Sequence, residues 1–245
     1  MHHFFISTEY IDNSRVEIVG QLVHQLKNVL RFRVGDTVVV FDNTGMEYVV
    51  KLDSFLDHKI VGVVLNSYKN KNESVVDIRI FQSLIKSDKF ELVLQKCTEL
   101  GVSAFVPIIS EKSNMYPNSN LIKQKYDRWN RIIIEAAEQS QRGLLPSLCD
   151  PCTFEDACSL VGNFALISSL DCNESVKDTL GIVPKSNLSI DIFIGPEYGF
   201  TAKEELFAIK KGIRKLSLGP RILRAETAAI SAISILQYEL ENIDF

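Results

Sequence analysis

Two glycine-bearing segments near the end of the chain hold residues whose types and spacing could do chemistry. Residues 195–200 read Gly-Pro-Glu-Tyr-Gly-Phe, and residues 218–228 include Arg221, Arg224 and Glu226. Each segment follows an apolar run and precedes a helical pattern. Both would therefore emerge at the carboxyl end of a parallel sheet, where open α/β sheets hold their ligands. A turn by itself needs no such density of hydrogen-bond donors, so the two segments predict a ligand site.

The residue types limit the chemistry of this site. Arginines can grip a phosphate or steady a developing anion, and Glu226 is the carboxylate placed to accept a proton. An acid in the first turn of a helix is explained equally well by the helix dipole, so both interpretations of Glu226 are open. The sequence lacks the Gly-x-Gly-x-x-Gly, Walker A and Gly-x-Ser-x-Gly motifs. Nicotinamide, P-loop and esterase chemistry are therefore disfavoured.

The composition is that of a globular protein large enough for two domains, with 245 residues, of which 46% are hydrophobic and 24% charged. A net charge of −4 disfavours a protein that coats nucleic acid through bulk electrostatics, although local basic patches can still bind it. No run approaches the roughly 18 apolar residues of a membrane span, and the N-terminus lacks the pattern of a secretory signal. We expect a cytoplasmic protein without membrane contact.

The cysteines indicate neither a disulfide framework nor a metal site. Their number is odd, five, which favours a reducing compartment. Cys149 and Cys152 form one C-x-x-C, but a zinc site would need a second ligand pair, and all four histidines precede residue 60. We expect no metal.

The hydrophobic pattern changes character near residue 74. Before it, short alternating strands are predicted at 37–41, 48–52 and 60–65, which favour a small β-barrel. The polar residues 67–74 resemble a linker. After it, predicted strands alternate with predicted helices, including one that Gly101 would cap, and this predicts a mostly parallel sheet covered on both faces. The expected domains are residues 1–73 and 74–245.

Five motifs in this order resemble one known family. They lie within residues 24–36, 96–102, 128–142, 195–200 and 218–228. Together they make the chain similar, over nearly its whole length, to the RsmE family. Its members are the uracil-N3 methyltransferases of small-subunit ribosomal RNA, within the SPOUT superfamily. Any one of these motifs alone would be weak.

The resemblance implies an α/β fold class with a particular architecture. Residues 1–73 would form a PUA-like β-barrel that binds RNA, and residues 74–245 a SPOUT methyltransferase domain with a deep trefoil knot. It also implies S-adenosylmethionine, bound in a bent form, and a homodimer with the active site near the subunit interface. The implied activity is methylation of N3 of a specific uridine in 16S ribosomal RNA, with the 30S subunit as the expected partner.

The resemblance also implies roles for particular residues. The implied cofactor contacts are Ser168, Leu170, Ile194, Gly195, Gly199, Leu218, Ile222 and Leu223. Arg224 or Arg221 would supply the electrostatic and phosphate contacts, and Glu226 would accept the proton. The implied RNA contacts are His24, Arg31, Arg33 and Arg142, although a buried core histidine explains His24 as well.

Two residues depart from the family pattern. Tyr198 stands where the family usually has a second glycine, and its side chain could narrow the cofactor mouth or point to solvent. Ala225 replaces a common threonine. Because of Tyr198, a second hypothesis is a non-catalytic RNA-binding or ribosome-assembly factor. A third hypothesis is an enzyme that acts on a small phosphorylated substrate. Affinity for S-adenosylmethionine separates the methyltransferase from both.

Overall fold

The computed structural model describes residues 2–12, 14–113, 119–172, 176–181, 183 and 189–240, of which 119–124 are described by backbone only. The chain separates into two compact units. The first unit is Met1–Glu73 with Ala137–Leu145, and the second unit is Ser74–Ala136 with Pro146–Phe245. Nothing in the sequence pattern indicates that Ala137–Leu145 joins the first unit.

The first unit is built on a five-stranded sheet with the order β1-β3-β4-β5-β2. Its strands are β1 (His3–Phe5), β2 (Arg15–Val19), β3 (Thr37–Phe41), β4 (Met46–Phe55) and β5 (Lys59–Lys69). The short helix α1 (Gln21–His24) follows β2 and continues into a π-helical turn. β1 and β3 are parallel, and the other pairings are antiparallel. Alternate valines of β3, Val38 and Val40, lie in its core.

The predicted linker is partly wrong, because residues 67–69 are the end of β5. Their side chains are polar, but their backbone pairs with the start of β4, as in Tyr48 opposite Ser67. Ladder hydrogen bonds satisfy the backbone of a strand whatever its side chains are. The strand therefore runs beyond the apolar pattern that marks its first half.

His3 is a buried histidine beside a carboxylate. Its ring stacks on Phe41 with centroids 4.6 Å apart, and Nε2 donates to Oε1 of Glu47 at 3.0 Å. Nδ1 is buried and has no hydrogen-bond partner. Burial lowers the pKa of His3 below its usual 6.5, despite the opposing attraction and hydrogen bond of Glu47 and a backbone hydrogen bond at Glu138.

We expect this histidine to make folding sensitive to mild acid. Because the pKa of His3 is lower in the folded than in the unfolded chain, the unfolded chain binds more protons just below pH 6.5. The free energy of unfolding then falls as the pH drops through that window. In His3→Gln, the free energy of unfolding should decrease less as the pH drops. In His58→Gln, at an exposed site, it should decrease as much as in wild type. Melting temperatures of the full-length variants at about pH 7.5 and about pH 5.5 test this, and parallel curves would contradict it.

The second unit holds a sheet with the order β12-β10-β11-β6-β7-β8, and β9 also pairs with β7. Its strands are β6 (Asp77–Ser83), β7 (Ala104–Ile109), β8 (Ser147–Leu148), β9 (Cys152–Thr153), β10 (Ala165–Ser168), β11 (Ser189–Ile194) and β12 (Arg214–Leu216). Every recorded pairing in it is parallel, which confirms the predicted parallel sheet.

Helices of the second unit cover both faces of this sheet. They are α2 (Ser87–Glu99), α3 (Ser119–Gln139, which ends in the first unit), α4 (Phe154–Ala157), α5 (Val176–Leu180), α6 (Ala202–Lys210) and α7 (Ala225–Leu240). Ile80 and Ile192 belong to the apolar cluster that includes α2 and α7 residues, whereas Phe81 and Phe193 belong to the cluster that includes α4 and α6 residues. Successive residues of β6 and of β11 thus lie on opposite faces and in different apolar clusters, as expected for strands buried on both faces.

The predicted glycine cap of α2 is confirmed. α2 ends at Glu99, and Gly101 has a φ of +89°, a left-handed conformation that glycine adopts without strain. Within the described residues, no helix is long and apolar enough to cross a membrane. In the same part of the chain, no three His, Cys, Asp or Glu side chains are grouped as metal ligands would be. Cys97, Cys149, Cys152 and Cys158 are free thiols.

Candidate active site

A cavity of about 430 Å³ lies where β10, β11 and β12 end. The loops that follow these three strands supply nearly all of its lining. All eight residues that the resemblance implied as cofactor contacts line it: Ser168, Leu170, Ile194, Gly195, Gly199, Leu218, Ile222 and Leu223. Carboxyl ends of adjacent parallel strands meet at one edge of a sheet, so this grouping follows from the strand order.

The loop at 195–200 is fixed by its own backbone. The Gly199 N–H donates to the carbonyl of Pro196 at 2.9 Å, and Gly199 has a φ of +64°. A Cβ on Gly195 would lie 3.1 Å from both Gly199 Cα and Phe200 N, closer than side chains normally approach backbone. The loop then enters α6 through a capping box between Thr201 and Glu204. The shape of this wall of the cavity is therefore set before any ligand binds.

Tyr198 is 74% exposed although it lines the cavity. Of the two orientations open from the sequence, this exposure favours a side chain that points to solvent. Its carbonyl accepts a hydrogen bond from Lys112 Nζ at 3.0 Å. Leu170 and Ile222 are also large, apolar and exposed at the same cavity. The tyrosine thus leaves the cavity open.

The two candidate arginines have free guanidinium groups. Arg221 lines the cavity and is exposed, whereas Arg224 is exposed but outside the lining. Within the described residues, neither guanidinium has a recorded ion pair or hydrogen bond. Arg224 precedes α7, and its carbonyl accepts from Ala228 N at 2.8 Å, so the backbone fixes its position. Both side chains are available to an anionic group.

Glu226 is buried in the first turn of α7 and does not line the cavity. Its Oε2 lies 3.8 Å from Nζ of Lys89, and the same nitrogen lies 3.8 Å from Oε1 of Glu197. Oε2 of Glu197 and Oε2 of Glu226 are buried and have no hydrogen-bond partner. Glu197 lines the cavity. The acid singled out from the sequence is therefore one of a pair that shares a lysine.

Sequence reasoning missed Lys89 and Glu197. Glu197 lies inside the 195–200 segment, but no local pattern marks it as one carboxylate of a pair. Lys89 lies in the first turn of α2, after β6. It reaches the site because β6 and β11 are neighbours in the sheet, which no local pattern indicates.

Three of the four implied RNA contacts are exposed in the first unit, namely His24, Arg31 and Arg33. This exposure rules out a core role for His24. Arg31 has a φ of +56°, which is uncommon for a residue other than glycine. His24 lines a separate cavity of the first unit together with Lys27 and His58. These side chains are accessible to a backbone phosphate.

Arg142 differs from the other three, because it is buried with 5% of its surface exposed. Its Nη2 donates to Oε2 of Glu73 at 2.8 Å, and the other oxygen of Glu73 accepts the backbone N–H groups of Gly143 and Leu144. This arginine holds a turn of the first unit in place. The structure favours a structural role for Arg142 over the implied RNA contact.

The cavity is suited to a flat ligand that carries partial charge. Ile194, Leu218 and Leu223 supply apolar surface, and backbone of the 195–200 loop supplies polar groups. Asp171, Glu197 and Glu205 add carboxylates to the lining, and each is ion-paired with a lysine: Asp171 and Glu205 with Lys215, and Glu197 with Lys89. Cavities of this size commonly hold a cofactor or small molecule.

Comparisons with known proteins identify similar chains. A family model described as RNA methyltransferase domain matches residues 71–237. The ribosomal RNA small subunit methyltransferase E of Synechocystis is 34% identical over 98% of this chain and 78% of its own length. That of Bacillus subtilis is 33% identical over 91% and 90%. A crystal structure of the Neisseria gonorrhoeae enzyme bound to S-adenosyl methionine is 30% identical and covers 99% of each chain with a TM-score of 0.89.

Proposed function

Because the chain belongs to the ribosomal RNA small subunit methyltransferase E family, we propose that it methylates N3 of a specific uridine in 16S ribosomal RNA. The methyl donor is S-adenosylmethionine, and the substrate is ribosomal RNA, within the 30S subunit. The observation that carries the proposal is one cavity lined by all eight implied cofactor contacts. The protein works in the cytoplasm.

The residues of the cavity fit S-adenosylmethionine. Ile194, Leu218 and Leu223 would supply apolar contacts to its base, and Gly199, where no atom lies within 4 Å of an added Cβ, leaves room for close approach. When bound, S-adenosylmethionine supplies a methyl group on sulfur, and the electron pair of the C–S bond leaves with that sulfur.

The chain's own residues must then remove a proton and steady an anion. N3 of uridine carries a proton and is a weak nucleophile until that proton leaves. Glu226 takes the proton, directly or through a water molecule. Arg224 and Arg221 steady the negative charge that develops on the base oxygens and hold the phosphate. The two arginines have no recorded internal partner among the described residues, which leaves them free for this role.

The first unit supplies affinity for RNA. We propose that residues 1–73 form a PUA-like barrel, and that His24, Arg31 and Arg33 contact the phosphate backbone. N3 lies on the pairing edge of the base, so the uridine must be unpaired or flipped out to react. Binding should weaken as salt rises, because backbone contacts release counterions.

Residues 74–245 form the methyltransferase domain, and we propose that its end is threaded as a trefoil knot. β12 lies at the edge of the sheet, beside β10, whereas α7 packs on β11 and β6. In the strand order, the chain from β12 to α7 therefore passes the position of β10, which supports the proposed threading. We propose that two copies associate as a homodimer with the active site near their interface.

Two measurements on the full-length protein test the proposed function. Calorimetric titration with S-adenosylmethionine should show binding, and small ribosomal subunits lacking their native methyl groups should gain a methyl at a uridine N3. Cofactor binding without methyl transfer to any uridine N3 would contradict the proposed RNA substrate. Absence of binding would contradict the enzyme and favour a non-catalytic RNA-binding factor.

Gly195→Ala is expected to weaken S-adenosylmethionine binding about tenfold. The added Cβ would meet backbone of Gly199 and Phe200 at 3.1 Å, so the loop must shift, at a cost of roughly 1–3 kcal/mol. Gly162→Ala is the matched control, since the nearest atoms there would lie 3.7 Å from the new Cβ. Calorimetry on both variants makes the comparison. Equal affinities in the two variants would show that the loop wall is not part of the cofactor site.

A further inference from the structure

Lys89 pairs with two carboxylates, one from the 195–200 loop of the cavity and one from the first turn of α7. Its Nζ is 3.8 Å from an oxygen of Glu197 and 3.8 Å from an oxygen of Glu226, so these oxygens are at most twice that distance apart. The three side chains are 25%, 19% and 11% exposed, in the order Lys89, Glu197, Glu226. Water therefore screens their charges only partly. A distance of 3.8 Å is an ion pair without a hydrogen bond.

The charges of this cluster do not balance. One ammonium and two carboxylates leave a net charge of −1 in a largely buried place. Two carboxylates close together disfavour each other's ionised form, and a cation between them offsets that repulsion. The N-terminal end of α7 adds a further preference for an ionised Glu226. Each carboxylate also has one buried oxygen without a hydrogen bond, which makes the cluster more dependent on Lys89.

Several other charged groups on the elements packed against α7 are paired elsewhere. α7 packs on α2, α5, β6 and β11. The charged residues of these four elements, besides Lys89, are Asp77, Arg79, Asp88, Glu91, Lys96, Glu99, Lys177, Asp178 and Asp191. Glu91, Lys96 and Asp191 have recorded ion pairs with Arg128, Glu99 and Arg79. Among the described residues, Lys89 is the cation that has a recorded ion pair with Glu226.

We propose that Lys89 is a positioning residue for methyl transfer, which keeps Glu226 ionised beside Glu197 so that Glu226 can take the proton of uridine N3. This inference rests on the proposed function. In the step, the N3–H bond breaks and its electron pair forms the new bond to the methyl carbon. The proton passes to a Glu226 oxygen, directly or through a water molecule, and the C–S electron pair leaves with sulfur.

The test compares pH profiles of kcat for the full-length protein with the variants Lys89→Met, Lys89→Arg and the double variant Lys89→Met/Glu197→Gln. Lys89→Met should move the acid limb of kcat to higher pH, so that its loss of kcat is largest at low pH and shrinks as the pH rises. Lys89→Arg keeps the charge and should keep the wild-type limb. The double variant removes the competing carboxylate and should return the limb toward the wild-type position.

Two controls separate this role from a structural one. Lys96→Met removes a lysine from the other end of α2, where it pairs with Glu99, and should leave the profile unchanged. Calorimetry should give S-adenosylmethionine affinities within about threefold of wild type in Lys89→Met, Lys89→Arg and Lys96→Met, which corresponds to under 1 kcal/mol. A loss of kcat by the same factor at every pH in Lys89→Met would overturn the proposal. If that variant does not fold, a displaced acid limb in the double variant would overturn it.

A second readout does not depend on turnover. In protein with ¹³C-labelled glutamate and without cofactor, the carboxyl signal of Glu226 should titrate at higher pH in Lys89→Met than in wild type, and return in the double variant. An unchanged titration would overturn the inference about Lys89. If wild type binds S-adenosylmethionine but methylates no uridine N3, the proposed function fails, and the titration alone then decides whether Lys89 sets the charge of Glu226.

Discussion

Glu226→Gln is expected to lower the rate of methyl transfer by about 10²–10⁴-fold, the usual contribution of a positioned general base. Glutamine has nearly the same shape as glutamate but cannot take a proton. Glu226 does not line the cavity, so the affinity for S-adenosylmethionine should stay close to that of wild type. The loss should therefore appear in kcat and not in cofactor binding. Single-turnover transfer to small ribosomal subunits measures it directly.

The pH dependence of this loss identifies its cause. As the pH rises, water and hydroxide remove the N3 proton from a growing share of the uridine, so the gap between wild type and Glu226→Gln should narrow. RNA that carries 5-fluorouridine at the target, whose N3 is more acidic, should narrow it further. Glu239→Gln, near the other end of the same helix, is the control. A gap that stays constant across pH and substrate would contradict a role in proton transfer.

The fold of the second unit could be predicted because buried parallel strands have continuous apolar sequences. The apolar run at 104–109 forms β7 (Ala104–Ile109), and Gly101 marks the end of the helix before it. The end of β5 could not be predicted in the same way. Its last residues are polar, and they belong to the strand only because β4 pairs with them.

The position of the cavity could be predicted from local sequence, whereas the ion pair beside it could not. Glycine turns after apolar runs mark where strands end, and strand ends meet at one edge of the sheet. A pairing such as Lys89 with Glu226 joins residues far apart in the chain, which meet because α2 packs on α7. Local sequence carries no sign of that packing.

Charged residues are the ones that sequence alone misplaces most easily. Arg142 and Arg221 each follow the end of an element, α3 and β12 respectively, and the resemblance implied a functional contact for both. In the structure Arg142 is buried against Glu73, whereas Arg221 is exposed at the cavity. The same residue type can form a buried ion pair or a solvated charge. The role of an arginine therefore depends on whether the fold brings a carboxylate to it.

The two arginines of the 218–228 segment should not have equal effects. Arg221 lines the cavity, whereas Arg224 lies outside the lining and two residues before Glu226. If Arg224 steadies the anion that forms when Glu226 takes the proton, its loss lowers kcat. An arginine that grips phosphate instead raises the KM for RNA and reduces the dependence of binding on salt.

Arg224→Ala is accordingly expected to lower kcat by about 10²–10³-fold, as the loss of one preorganised donor to a developing anion does. Alanine keeps the carbonyl that accepts from Ala228 N, so the start of α7 is preserved and only the guanidinium is removed. Arg214→Ala, an exposed arginine on β12, is the matched control. Near-normal kcat in Arg224→Ala together with a large loss in Arg221→Ala would exchange the two roles, because the anion would then form beside the residue that lines the cavity.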